Sequence, residues 1–196
     1  MAAEEEHHIL PLPALETPPR LLLVVAPYYR DIADMLIEGA RRTLEKAGAR
    51  HEIVEVPGAL EIPPAIRIAS RGGDYDGFVA LGCVIRGETT HYEIVSGQSS
   101  EGLMLLGLEG QAIGNGILTV ENRLQAEVRA DPAGGDKGGG AAAAALHLIA
   151  LRTRLGGSRR GIGFRPGGEE IRLAGEGDEA SSASRAFAPR GRGVGR

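Results

Sequence analysis

Apolar residues in this chain gather in short unbroken runs, and the stretches between them carry helical spacing. RLLLVVA, residues 20–26, is apolar at consecutive positions, the pattern of a strand buried on both faces. After the loop PYYRD, Ile32, Met35, Leu36, Gly39, Ala40, Thr43 and Ala47 recur at helical intervals, and Gly48 supplies a stop. HEIVEV, residues 51–56, predicts a second strand. Pro63 and Pro64, within the turn-like PGALEIPP, suit the first turn of a helix running to about Ser70. The cycle then repeats, with a strand over 77–85 and a helix over 91–108. A fourth strand follows over 111–120, then a short helix over 121–129. A glycine-rich connector, DPAGGDKGGG, leads into a last helix, AAAAALHLIALRTRL. Strands that alternate with helices and are apolar throughout predict an α/β domain with a parallel sheet covered on both sides. Ligands of such sheets bind beyond the carboxyl ends of the strands. That rule selects four loops: around Tyr28, around Ala59, from Arg86 to His91, and around Asn115.

The ends of the chain differ from this core. Residues 1–19 are polar and proline-rich and predict a flexible N-terminal segment, with the folded domain over 20–157. Residues 158–196 are rich in Gly, Arg and Ser without sustained periodicity, which predicts a disordered tail. The net charge of −4 is unevenly spread: the tail has eight arginines against five acids, which leaves residues 1–157 at −7. An acidic body argues against nucleic acid as a partner. No apolar run approaches the length of a membrane span, so no membrane partner is expected. The acidic start MAAEEEHHIL lacks the basic character of a secretory signal, and Cys83 is the single cysteine; both fit a cytoplasmic, reducing compartment. His7, His8, His51 and His147 have no partners at metal-ligand spacing, so no metal site is expected.

The stretch RGETTHYE holds the most chemistry. Gly87 allows close backbone approach, and the following residues enter a helix whose first amides lack internal partners. Those amides and the hydroxyls of Thr89 and Thr90 favour an anion. His91, in the same turn, can give or take a proton near neutral pH. A plain N-cap beside a surface histidine is the competing reading, and the loop's place at the carboxyl edge of the sheet weighs against it. Tyr28 and Tyr29 follow the first strand, where a flat ring could stack on a planar heterocycle, and Tyr28 is the expected stacker. For Glu61, binding and helix capping stand equal. Arg129, read by itself, only offsets a helix dipole, and Lys137 reads as a solvated linker residue. Cys83, inside an apolar run, reads as core.

Taken together, EGA (38–40), VPGALEIP (56–63), GCVIRGETTHYE (82–93), GNGILTVEN (114–122), and Arg129 followed by DKG (136–138) resemble the lumazine synthase family. The resemblance spans residues 21–155, and the combination in this order and spacing is specific. It implies a three-layer αβα, flavodoxin-like domain with a four-stranded parallel sheet, assembled into pentamers or their multiples, with active sites between adjacent subunits. It implies condensation of 5-amino-6-(D-ribitylamino)uracil with 3,4-dihydroxy-2-butanone 4-phosphate, two small-molecule substrates, without a metal or redox cofactor. By motif position, Tyr28 would stack on the pyrimidine, where the family more often has phenylalanine or tryptophan. Ala59, Leu60 and Glu61 would bind the pyrimidine and its ribityl chain. Cys83, Val84 and Ile85 would line the same pocket through backbone groups, and Asn115 would add to it from the fourth strand. Glu88 and Thr89 would hold the butanone phosphate through backbone and hydroxyl donors, Arg129 of a neighbouring subunit would pair with it, and His91 would transfer protons. Two departures stand out: Gly140 occupies a place where the family usually has a glutamate that pairs with the arginine, and the tail beyond Leu155 has no counterpart. Gly140 and Tyr28 keep open a second class, a binding module of the same fold that turns over poorly. The Arg/Gly-rich tail raises a third, an RNA-associated protein, against which the acidic body counts.

Overall fold

A computed structural model describes residues 10–157; the tail expected over 158–196 and the first nine residues lie outside the described residues. Four strands, β1 (Arg20–Val25), β2 (Arg50–Glu55), β3 (Gly77–Ile85) and β4 (Ile113–Val120), form one sheet in the order β2-β1-β3-β4. Every neighbouring pair is parallel. Five helices connect and follow them: α1 (Arg30–Lys46), α2 (Ile62–Ser70), α3 (His91–Leu108), α4 (Arg123–Ala130) and α5 (Lys137–Gly157). A single 3-10 turn, Ala59–Glu61, runs into α2.

The unbroken apolar runs have a direct cause. Along β1, Leu21, Leu23 and Val25 point into a core shared with α1, α4 and α5, where Leu36, Leu44, Ala126, Ala142 and Leu146 are buried. Leu22, Val24 and Ala26 point the other way, into a second core with Ile62, Ile66, Leu103 and Leu106 from α2 and α3. A strand with both faces covered cannot alternate apolar with polar residues. Truncating a fully buried leucine such as Leu81 or Leu146 to alanine removes contacts worth about 2–5 kcal/mol.

Two expectations require correction. The sheet is not covered throughout: on the edge strand β2, Ile53 is 43% and Val54 39% exposed. The sequence DKGGG is not a connector, because α5 begins at Lys137 and the glycines form its first turn. Asp136 adopts φ 39°, a conformation that aspartate tolerates better than most residues, and its Oδ1 accepts a hydrogen bond from the Gly139 amide at 3.0 Å. Capping and close packing against α1 thus outweigh the poor helix propensity of glycine. Residues 10–19 have no helix or strand, yet Leu12 and Leu15 pack against the α1–α5 core.

Candidate active site

Strand order reverses between β1 and β3: the chain steps from β1 outward to β2, then crosses back over β1 to β3. A crevice opens at the carboxyl ends of strands at such a switch point. Here it is a cleft of about 430 Å³ lined by residues from three stretches. Ala26, Tyr28 and Tyr29 come from the end of β1, Pro57 to Glu61 from the turn before α2, and Cys83, Val84, Ile85, His91 and Val95 from β3 and α3. Eight residues singled out from sequence therefore meet in one cleft: Tyr28, Ala59, Leu60, Glu61, Cys83, Val84, Ile85 and His91.

Local structure sets how each side chain is presented. Tyr28 is 75% exposed, while Tyr29 is half-buried, packs against the core and meets the Tyr28 ring edge-on at 5.0 Å between centroids. The pair thus divides into an anchor and a free ring. Burial pushes the Tyr29 phenol upward, and burial likewise pushes the Cys83 thiol up to about 11. Cys83, 8% exposed, is therefore a protonated wall of the cleft and not a nucleophile at neutral pH.

Helix starts around the cleft share a property. α1, the 3-10 turn, α2 and α3 all begin without a capping side chain, whereas α4 is capped by Asn122, whose Oδ1 accepts from the Gln125 amide at 3.0 Å. At α3 the nearest substitute is Thr89 Oγ1, which takes the His91 amide at a long 3.4 Å. An uncapped helix start directs N–H groups and the positive dipole end toward whatever lies beside it. His91, the first residue of α3, is exposed at that point, with Glu88 and Thr89 exposed in the preceding turn. Imidazole and anion-seeking amides are thus brought together at the exit of β3.

Asn115 and Arg129 lie elsewhere. They line a separate concavity of about 410 Å³ with Lys137, Gly140, Thr119 and residues of β4 and α5. Within β4, Asn115 turns its Oδ1 to accept the Ile117 amide at 3.0 Å. Arg129 donates to the Gln125 carbonyl of its own helix at 3.2 Å. Neither Arg129 nor Lys137 has an ion-pair partner among the described residues, although the arginines at 20, 30, 86 and 123 each do. Lys137, which reads in sequence as a solvated linker residue, instead opens the first turn of α5, where the glycines admit the helix. Among the described residues no group of three or more His, Cys, Asp or Glu side chains stands where it could hold a metal ion. No helix among them is long and apolar enough to cross a membrane.

Comparison with known proteins agrees with the geometry. Residues 18–153 match the model of the 6,7-dimethyl-8-ribityllumazine synthase family. A 6,7-dimethyl-8-ribityllumazine synthase of Jannaschia sp. (strain CCS1) is 52% identical over 159 residues, covering 81% of this chain and 89% of that protein. The protein of the same name from Novosphingobium aromaticivorans is 58% identical over 135 residues, 69% of this chain and 97% of the relative. That of Agrobacterium fabrum is 57% identical over 145 residues, 71% of this chain and 98% of the relative. With one cleft gathering eight of the residues singled out from sequence and the match extending through nearly the whole folded unit, the chain belongs to the 6,7-dimethyl-8-ribityllumazine synthase family.

Proposed function

We propose that this protein condenses 5-amino-6-(D-ribitylamino)uracil with 3,4-dihydroxy-2-butanone 4-phosphate to 6,7-dimethyl-8-ribityllumazine, releasing phosphate and water in riboflavin biosynthesis. The observation that carries the reading is the cleft at the β1/β3 switch point, where His91 stands at the uncapped start of α3.

The chemistry suits the residues present. Attack of the uracil amine on the ketone requires a group that removes and returns protons, a role for the His91 imidazole near neutral pH. Departure of phosphate from the imine requires donors for its oxygens, a role for the α3 amides, the backbone N–H groups of Glu88 and Thr89 with the Thr89 hydroxyl, and a guanidinium. Ring closure with loss of water depends on holding the intermediate in place. Tyr28 stacks on the pyrimidine, and Ala59, Leu60 and Glu61 hold that substrate with its ribityl chain. Cys83, Val84 and Ile85 form the wall, chiefly through backbone groups.

The second concavity belongs to the same reaction through assembly. Arg129 and Asn115 of one protomer complete the cleft of its neighbour in a homopentamer or a multiple of it. Support comes from Arg129 and Lys137, which have no ion-pair partner among the described residues, and from Met104, Leu105 and Leu108 on α3, which are 64, 57 and 78% exposed. A row of exposed apolar side chains marks a surface that associates. The single, buried cysteine fits the cytoplasm. Nucleic acid has no part in this function.

Mixing the purified protein with both substrates and following lumazine absorbance tests the proposal. Formation of the product at a rate above the spontaneous reaction is expected. Tight lumazine binding without turnover would instead make the protein a binding module.

A further inference from the structure

Arg86 follows the last residue of β3, outside the cleft lining, yet it joins β3 and α3, which line the cleft, to the end of β4. Its amide donates to the Val120 carbonyl at 2.9 Å, at the end of β4. Its guanidinium Nε donates to Glu121 Oε2 at 2.7 Å, and a terminal nitrogen of the same group donates to Glu93 on α3. The guanidinium carbon lies 4.1 Å from the ring centroid of Tyr92, the residue after His91. Backbone and side chain of this one residue therefore tie the ends of β3 and β4 to the first turn of α3, on which His91 sits.

Glu93 gives that grip an electrostatic consequence. It is the only acid in the first turn of α3, the turn whose uncapped amides face an anion. A free carboxylate there would oppose a substrate dianion and compete for the same donors. The Arg86 hydrogen bond holds the Glu93 carboxyl below its ordinary range, so the acid is charged and occupied.

We propose that Arg86 is a positioning residue for the phosphorylated substrate: it engages the Glu93 carboxylate and fixes the first turn of α3, leaving the amides beside His91 to the substrate phosphate. The proposal rests on the phosphate lodging at the start of α3, as the proposed function has it. Glu88 and Glu121, the other carboxylates near Arg86, are present in every variant below and lie outside the first turn of α3, where Glu93 is the acid.

Steady-state kinetics of the full chain with both substrates test the assignment, using Arg86→Met, Arg86→Lys, Glu93→Gln and the double variant R86M/E93Q. In Arg86→Met the KM for the butanone phosphate rises roughly two- to fivefold more than that for the uracil, the scale of one exposed charge interaction. The excess shrinks between low and high salt, and it disappears in the double variant. Arg86→Lys keeps the charge and stays within about twofold of the unmodified protein. Glu93→Gln leaves the KM for the butanone phosphate unchanged or lower, a readout that remains should Arg86→Met fold poorly. Equal changes in both KM values, an excess that persists in the double variant or at high salt, or a selective rise in Glu93→Gln would each overturn the assignment. Absence of turnover in the unmodified chain would sink the proposed function instead. In that case inorganic phosphate binding still judges Arg86: weaker binding by Arg86→Met with recovery in the double variant is expected, and equal binding by all forms refutes it.

Discussion

Gly138 of α5 and Leu36 of α1 lie backbone against backbone: a β-carbon on Gly138 would stand 2.0 Å from the Leu36 carbonyl oxygen. Nothing flexible can yield there, since the opposing atom is main chain. At Gly140, the last of the same GGG run, a β-carbon meets nothing within 4 Å. Gly138→Ala should therefore destabilise the fold by about 1–3 kcal/mol, the cost of overpacking, whereas Gly140→Ala should stabilise it by up to about 1 kcal/mol through helix propensity. Denaturant midpoints of the two variants check the contrast; equal shifts would contradict it.

Cys83 provides a pH prediction. Its folded thiol titrates at about 11 against an ordinary 9.0. Between those values the unfolded chain gives up the proton first, so the folded state binds more protons and stability falls as pH rises. Below the ordinary value the contribution is constant. The stability of the unmodified protein relative to Cys83→Ala should decline from pH 9 to 11, and iodoacetamide should label the folded thiol slowly at pH 8. A flat difference across that window, or rapid labelling, would refute the placement of the thiol.

His91→Ala should lower kcat by at most a factor on the order of 10²–10⁴, because positioning carries the larger share of the rate. Complete loss of turnover with substrate binding intact would reverse that ranking.

Tyr28→Ala should raise the KM for the uracil substrate roughly three- to tenfold, the worth of one stacked ring, with kcat changed less. Tyr29→Ala should act mainly on stability, since Tyr29 packs against the core and Tyr28 is exposed. Kinetics and thermal melts of the two variants separate ring from anchor.

Co-expression of His91→Ala with Arg129→Ala should restore activity that neither variant has alone at comparable level. In rings with heterologous contacts and random mixing, about a quarter of the sites would receive both an intact His91 and an intact Arg129. Mixed assemblies no more active than the separate variants would mean that the two residues do not serve one site.

The parts of the fold that were legible in sequence are those where one pattern has one cause. LLLVVA, residues 21–26, is apolar at every position because both faces of β1 meet helices, and Tyr28, Ala59, Ile85 and His91 converge because they lie at or just beyond the ends of neighbouring strands. The start of α5 was not legible: local propensity argues against helix in KGGG, and the reason for helix lies a hundred residues away, at the Leu36 carbonyl. The exposed face of β2 escaped for a similar reason, since Ile53 and Val54 are as apolar as their buried counterparts and only strand order makes β2 an edge. Arg86 was hidden by its ordinariness, as an arginine after a strand says nothing until Tyr92, Glu93 and Glu121 are seen around it.

The division of motif residues between two concavities has an arithmetic consequence. On the proposed assembly, working sites are counted by joints between protomers: an open row has one fewer than its members, and only closing the circle makes the numbers equal. Dilution that parts the chains should then silence turnover while each remains folded, so catalytic rate becomes a gauge of ring closure.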